Sequence, residues 1–415
     1  MAKRDCVIIV GGGAAGMMAA LSARQHHPDF KIILVEHEES LGRKLLVCGA
    51  GRCNVTNARV VPERFSGAPT EFIAQILDRF DHQSIQRFFE DLGVPLYEEK
   101  KNDKGKLFPV TNQAKTVLDL LIDELARANV EVRTGVHVER IDKTEDGFKI
   151  ETQKGPMWST YLILSTGGKT YPKLGGDGSG YALATSFGHT IIEPVPTALP
   201  LVARNPISKR VHGVRAEMGV AAIVGGKEVC RDSDQMMFTK YGFTGPAILN
   251  VSRPIALRLL REKKNDCELE LNFLPGKSRE EIETALKNRW KKRPDQKLSL
   301  SLCGLMQNKL PAAILAHLEL KDEAAETLSP ANQKTLFDFL SGWRVPVQET
   351  RGWDEGEFTA GGINSAEVAP ESLESLKTKG LFFAGEVLDI DGEVGGFNLT
   401  WAWSSGFVAG ALGNR

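Results

Sequence analysis

Residues 6–10, Cys-Val-Ile-Ile-Val, are apolar without interruption and run directly into Gly11-Gly12-Gly13-Ala14-Ala15-Gly16. An unbroken apolar run of that length is the pattern of a parallel strand buried on both faces. Met17–Arg24 then reads as a helix, and Lys31–Val35 as a second buried strand that ends at Glu36. The spacing predicts a βαβ unit of about 30 residues. Within its Gly-x-Gly-x-x-Gly turn, Gly11 allows the sharp turn after the strand, and Gly13 lets a pyrophosphate come up to the backbone. Gly16 lets helix and strand pack closely. The helix N-terminus adds N–H donors and a partial positive charge. Glu36 lies 20 residues beyond Gly16, where a carboxylate accepts hydrogen bonds from ribose hydroxyls. Strand, helix, second strand and acid, in that order, describe a dinucleotide-binding unit and an α/β fold.

At 415 residues the chain is long enough for two or three domains. Its 52 Lys and Arg against 53 Asp and Glu leave a formal charge of −1, so no general polyanion-binding surface is expected. Charged residues at 25% and hydrophobic ones at 42% exclude wholesale disorder. Six cysteines contain no Cys-x-x-Cys pair and no Cys/His cluster at zinc spacing, so no metal site is expected. The apolar stretch after Met-Ala-Lys-Arg is too short for a signal peptide or a membrane span. The reading is a soluble, cytoplasmic protein with no membrane partner.

Helical periodicity marks residues 70–92 and 114–128, and alternation marks strands at 130–133, 136–142 and 148–152. Tyr161–Ser165 is another buried strand, running into Thr166-Gly167-Gly168. After Pro196 the texture changes to short β-like runs separated by Gly and Pro, then to charged helices from residue 277. From Gly361 the Gly-rich style returns, with a strand at Leu381–Ala384 and a closing helix at Asn398–Leu412. The expected organisation is one nucleotide domain, residues 1–195 and 345–415, interrupted by a β-rich insert at 196–276 and a helical insert at 277–344.

Leu162-Ile163-Leu164-Ser165-Thr166-Gly167-Gly168 resembles the second FAD signature of glutathione-reductase-like flavoproteins, and Leu381–Glu386 resembles the third, in which an acid binds the ribityl chain. Gly42-Arg43-Lys44, Gly49-Ala50-Gly51-Arg52-Cys53-Asn54-Val55-Thr56-Asn57, Phe238–Pro246, Gly385–Gly392 and Gly395–Gly406 together resemble the BaiN/YhiN-like family of FAD-dependent oxidoreductases. Cys48, Lys240 and Thr400 depart from that family's usual Ser, His and Gln. The resemblance implies a glutathione-reductase-like FAD-binding Rossmann domain interrupted by a β-barrel-like and a helical insertion. It implies FAD as cofactor, NAD(P)H as co-substrate, and a small or medium organic acceptor such as an enone. Alternatives are an aminoacetone-type amine oxidase, a disulfide reductase using Cys48 and Cys53, and an RNA-binding flavoprotein. The expected cofactor contacts are Gly11, Gly13, Ala14, Ala15, Gly16, Glu36, Arg43, Lys44, Gly51, Asn54, Val138, Thr166, Gly167, Gly385, Glu386, Asp391, Gly396, Asn398 and Leu399.

Catalytic candidates are Arg52, Cys53 and Asn54, polar residues in a loop too Gly-rich for a core, whose other reading is a loop that binds backbone through Asn and Thr. Cys48 and Cys53 have the spacing of a redox disulfide, but no His follows His317 to serve as its acid–base partner. Free N–H groups at the start of the closing helix suit the flavin pyrimidine, with Asn398 as an ordinary N-cap the plainer reading. Gly175–Gly180 mimics a second dinucleotide turn but follows no apolar strand. Lys287–Arg293 is basic around Trp290, yet Glu280, Glu281 and Glu283 beside it suggest a solvated face, so a nucleic-acid partner is not expected. Tyr241–Pro246 is the candidate rim of an insert that covers the flavin edge.

Overall fold

Five strands, four of them apolar enough to be covered on both sides, pair into a parallel sheet. In the computed structural model, which describes residues 5–100 and 104–413, they are β1 (Cys6–Val10), β2 (Lys31–Val35), β3 (Glu131–Arg133), β4 (Tyr161–Leu164) and β5 (Leu381–Phe383). Their order is β5-β4-β1-β2-β3, with every neighbouring pair parallel. The register sets Val10 beside both Val35 and Leu164, so three strand ends finish level. The chain leaves β1 toward β2 on one side and returns through β4 on the other. A crevice therefore opens at the carboxyl ends of β1 and β4, where doubly wound sheets bind ligands. Residues 1–4, which open the N-terminal stretch read above for a leader, lie outside the described residues.

Helix α1 (Ala14–His26) follows β1, and the closing helix α2 (Phe397–Gly410) lies against α1. Both are rich in small residues and buried on most sides. Their backbones nearly touch: a Cβ added at Gly406 would lie 2.4 Å from the Ala15 carbonyl oxygen, and one at Gly410 would lie 2.4 Å from that of Ala19. Residues 70–92 form two helices rather than one, Thr70–Leu77 and His82–Asp91. The Asp81 carboxylate accepts the Ser84 N–H at 2.7 Å and starts the second afresh.

The chain divides into two compact units: residues up to Pro196 with those from Glu357, and Thr197–Gly356. The second crossing, expected at 345, falls at 356/357 because Trp343–Pro346 and Glu349–Thr350 are strands of the inserted unit's own sheet. That sheet has seven strands and antiparallel pairing. The helical stretch expected as a separate insert shares its core with the sheet. Phe273 stacks on Phe339 at 5.6 Å, while Trp290 on helix Arg279–Lys292 stacks on Phe337 at 5.7 Å. Within the expected rim segment, Phe243 is fully buried against Phe238 and Trp343. Trp290 is likewise buried, its indole N–H donated to Ser301 at 3.1 Å, so the basic run presents no aromatic face to solvent. Among the described residues no helix is long and apolar enough to cross a membrane, and no cluster of metal-ligating side chains occurs.

Candidate active site

The turn after β1 separates its three motif glycines by task. Gly11 sits at φ +106°, and a Cβ there would meet the Ser165 carbonyl oxygen at 2.4 Å. A Cβ on Gly16 would lie 1.8 Å from the Gly11 carbonyl oxygen, so both positions are filled by neighbouring backbone. Gly13 differs, because a Cβ built on it meets nothing within 4 Å. It is also the N-cap of α1, and no side chain caps the helix there. Unpaired N–H groups at a helix start, with empty space in front of them, form an anion cradle.

Glu36 closes one end of the cavity. One carboxylate oxygen accepts the Gly12 N–H at 2.6 Å; the other accepts the Glu38 N–H at 2.9 Å and lies 3.0 Å from His37 Nδ1. Burial alone would push this carboxyl up, but the His37, Glu38 and Gly12 hydrogen bonds together hold it below its ordinary range. The same contact to Glu36 pushes the His37 imidazole up. Glu38 in turn pairs with Arg43, whose other nitrogen donates to the Lys173 carbonyl at 2.9 Å. Val136 and Val138 line the wall beside them.

Farther along the same cavity Lys44 Nζ donates to Glu386 at 2.7 Å and to Thr170 at 2.9 Å. The second Glu386 oxygen accepts the Thr359 N–H at 2.6 Å, so this carboxylate is clamped from two sides. Cys48, Gly49, Glu357, Phe358 and Trp401 also line the cavity. The Cys53 thiol, hydrogen-bonded to Cys48, holds the Cys48 thiol below its ordinary range against the opposing effect of burial; the same contact, with burial, pushes Cys53 well up. At the start of α2 the N-cap is Gly396, at φ +101° and without a side-chain cap, and Asn398 and Leu399 face the cavity.

Comparison with known proteins accounts for this arrangement. The family model described as HI0933-like protein Rossmann domain matches residues 5–412. The chain belongs to this family. It is 35% identical over 405 residues to a 3-dehydro-bile acid delta(4,6)-reductase of Clostridium scindens, covering 97% of each chain. It is 29% identical over 409 residues to a protein of Escherichia coli named ribosomal RNA dihydrouridine synthase, covering 98% of this chain and 97% of that one. Among solved structures, a 3-ketosteroid-delta4-(5alpha)-dehydrogenase from Rhodococcus jostii aligns with a TM-score of 0.50 at 15% identity, over 99% of this chain and 98% of that one, which shows the shared fold.

This member of the HI0933-like family is thus an FAD-dependent oxidoreductase with a Rossmann-type fold. Its cavity fits the cofactor: the cradle at Gly13 suits a pyrophosphate, and Glu36 stands at the end of β2. Thr166, on the wall, carries a buried hydroxyl oxygen with no partner. Of the sequence-derived contacts, Gly11, Gly13, Ala14, Ala15, Glu36, Arg43, Lys44, Val138, Thr166, Gly167, Gly385, Glu386, Asn398 and Leu399 line this one cavity. Gly16, Gly51, Asn54, Asp391 and Gly396 are not part of its lining.

Neither are the catalytic candidates Arg52 and Cys53. Arg52 pairs with Glu99 at 2.8 Å and lies 4.1 Å over the Phe108 ring, and Cys53 is fully buried. The Asn54 side-chain oxygen is buried without a partner, 3.1 Å from where a Gly396 Cβ would stand. The rest of the loop braces the approach to α2: Asn57 donates to the Gly395 carbonyl at 2.7 Å, and the Thr56 and Thr400 hydroxyls meet at 2.7 Å. Asn398 does not cap α2, because its amide is held by the backbone of Gly392. Gly175 and Gly176 belong to the same cavity and follow the short turn Pro172–Leu174. Sequence reasoning missed Glu357 and His37. Glu357 carries no motif of its own, and its one signal is an acid immediately before the Phe-Thr-Ala-Gly-Gly-Ile strand where the chain re-enters the unit.

Proposed function

We propose that this protein reduces a carbon–carbon double bond conjugated to a carbonyl group, with NAD(P)H as electron donor and a small or medium organic molecule as acceptor. The observation that carries the reading is the likeness, over 97% of both chains, to a relative named for reducing such a bond in a 3-dehydro bile acid. When bound, FAD supplies two-electron hydride chemistry. The chain's own residues hold that cofactor and shape the space beside it. Glu36 and the α1 N-terminus take the nucleotide end, Lys44 and Glu386 fix the middle, and the uncapped start of α2 offers donors where negative charge develops. Phe358 and Trp401 give the acceptor an apolar wall.

A second reading, in which the acceptor is a uracil base of RNA, is favoured by the name of the Escherichia coli relative. The bond class is the same, because the 5,6 double bond of uracil is also conjugated to a carbonyl. The test reduces the purified protein anaerobically with NADH or NADPH. It is then mixed separately with a steroid 4,6-dien-3-one and with a uridine-containing ribosomal RNA transcript. Oxygen-independent reoxidation, with a product two hydrogens heavier, is expected from the dienone; reoxidation by the transcript instead selects the second reading. If neither reoxidises the flavin, and an amine substrate yields ammonia and peroxide, the proposal fails in favour of an amine oxidase.

A further inference from the structure

Reducing a conjugated double bond takes hydride at the β-carbon, which is the cofactor's part, and a proton at the α-carbon, which must come from an acid in the cavity. Most cavity acids are already committed. Glu36 is held as an anion by its hydrogen bonds to His37 and to the Glu38 and Gly12 N–H groups, and Glu38 is paired with Arg43. Glu386 is clamped between Lys44 and the Thr359 N–H. Glu357 differs from all three. It lines the same cavity, yet its carboxyl makes no hydrogen bond or ion pair among the described residues. Its backbone is fixed, with the Thr170 hydroxyl on its carbonyl at 3.3 Å and the next residue but one, Thr359, tied to Glu386.

We propose that Glu357 is the catalytic acid of this reaction, giving its proton to the α-carbon of the bound acceptor. The inference rests on the reductase reading above. The π bond breaks, one C–H bond forms at each carbon, and the Glu357 carboxylate left behind takes a proton back from water. Burial pushes the Glu357 carboxyl up, while the facing cations Lys44 and Lys106 draw it partway back, which favours the protonated form a donor needs. Cys48 also faces it, and its hydrogen bond with Cys53 holds its thiol below the ordinary range against the opposing effect of burial.

The test uses full-length, FAD-loaded protein with Glu357→Gln, and Glu357→Asp as the conservative variant. Three rates are followed: flavin reduction by NAD(P)H, anaerobic reoxidation by ferricyanide (which takes electrons only), and anaerobic reoxidation by the dienone or the uridine transcript. The expected result is a 100-fold or greater loss, in Glu357→Gln, of reoxidation by the conjugated acceptor alone, with partial recovery in Glu357→Asp. The unmutated protein's rate with that acceptor should fall as pH rises through the raised Glu357 pKa, and the glutamine variant should lose that step. Glu357→Gln reoxidised by the conjugated acceptor at the unmutated rate overturns the assignment and leaves the reductase reading intact. Equal slowing with ferricyanide also overturns it, since Glu357 would then act on the cofactor. If the unmutated protein is reoxidised by neither conjugated acceptor, the reductase reading itself falls, and this assignment with it.

Discussion

Gly13→Ala separates the fold from the site. The backbone at Gly13 has φ −78° and ψ −170°, which alanine adopts without strain, and the new methyl meets nothing within 4 Å. The protein without cofactor should therefore tolerate it. Replacing glycine by alanine in a permitted conformation stabilises by about 0.4–1 kcal/mol through the unfolded chain, and a poorer N-cap costs a similar amount. The methyl does occupy the space in front of the α1 N-terminus. A phosphate kept from about two charge-assisted N–H bonds, at about 1.5–3 kcal/mol each, loses roughly 3–6 kcal/mol. At about 1.4 kcal/mol per decade this is a 10²- to 10⁴-fold weaker FAD complex. Fluorescence titration of the apoprotein with FAD reads the affinity, and an apoprotein melt shifted by less than about 4 °C confirms the fold. Gly16→Ala is the contrast, since its methyl would lie 1.8 Å from the Gly11 carbonyl oxygen, and that variant should fail to fold. Gly13→Ala with unchanged FAD affinity would refute the cradle.

Glu36, with its folded pKa depressed, contributes stability that is complete above its unfolded value and is lost as pH falls through the depressed one. The apoprotein's melting midpoint should drop on acidification below about pH 5, and by less in Glu36→Gln; parallel drops in both would count against the hydrogen-bonded anion. Gly406→Val drives a side chain into the Ala15 carbonyl and should cost at least about 3 kcal/mol in urea unfolding. Cys48 should be the more readily alkylated of the Cys48/Cys53 pair under iodoacetamide, and Cys53→Ala should slow it by removing the thiol that lowers its pKa; mass spectrometry reads the order. Cys48→Ser should leave turnover nearly intact, and total loss would revive the disulfide-reductase alternative.

How much was legible from residues alone follows from how local each cause is. The βαβ unit, its glycines and Glu36 lie within about 30 residues, and each part reports its own geometry. The parallel strands Tyr161–Leu164 and Leu381–Phe383 were visible as apolar runs for the same reason. The loop at Arg52–Asn57 looked catalytic because it is polar and Gly-rich, but its partners Glu99, Gly395 and Thr400 are distant in sequence, and only folding shows where those side chains are spent. Glu357 is silent for the opposite reason, since a half-buried acid without a hydrogen-bond or ion-pair partner among the described residues leaves no pattern in a string of letters. The boundary at 356/357 is not legible in the sequence because strands Trp343–Pro346 and Glu349–Thr350 are short, and their pairing is set by residues far upstream.

The cavity is assembled from the two ends of a sequence interrupted by another folding unit, and that fixes a timetable for synthesis. Gly13, Glu36, Lys44 and Thr166 leave the ribosome first, yet β5, Glu386 and α2 follow only after residues 197–356. At about 5–20 residues per second, the intervening stretch takes on the order of ten seconds or longer to translate. Throughout that interval β4 lacks its outer neighbour and α1 lacks the helix whose glycines fit its backbone. The inserted unit, whose seven strands all lie between residues 201 and 350, has every pairing partner at hand beforehand. Cofactor capture is therefore among the last events of biogenesis, and the nascent first half passes through a period of exposed apolar strand edge in which chaperones have the most to protect.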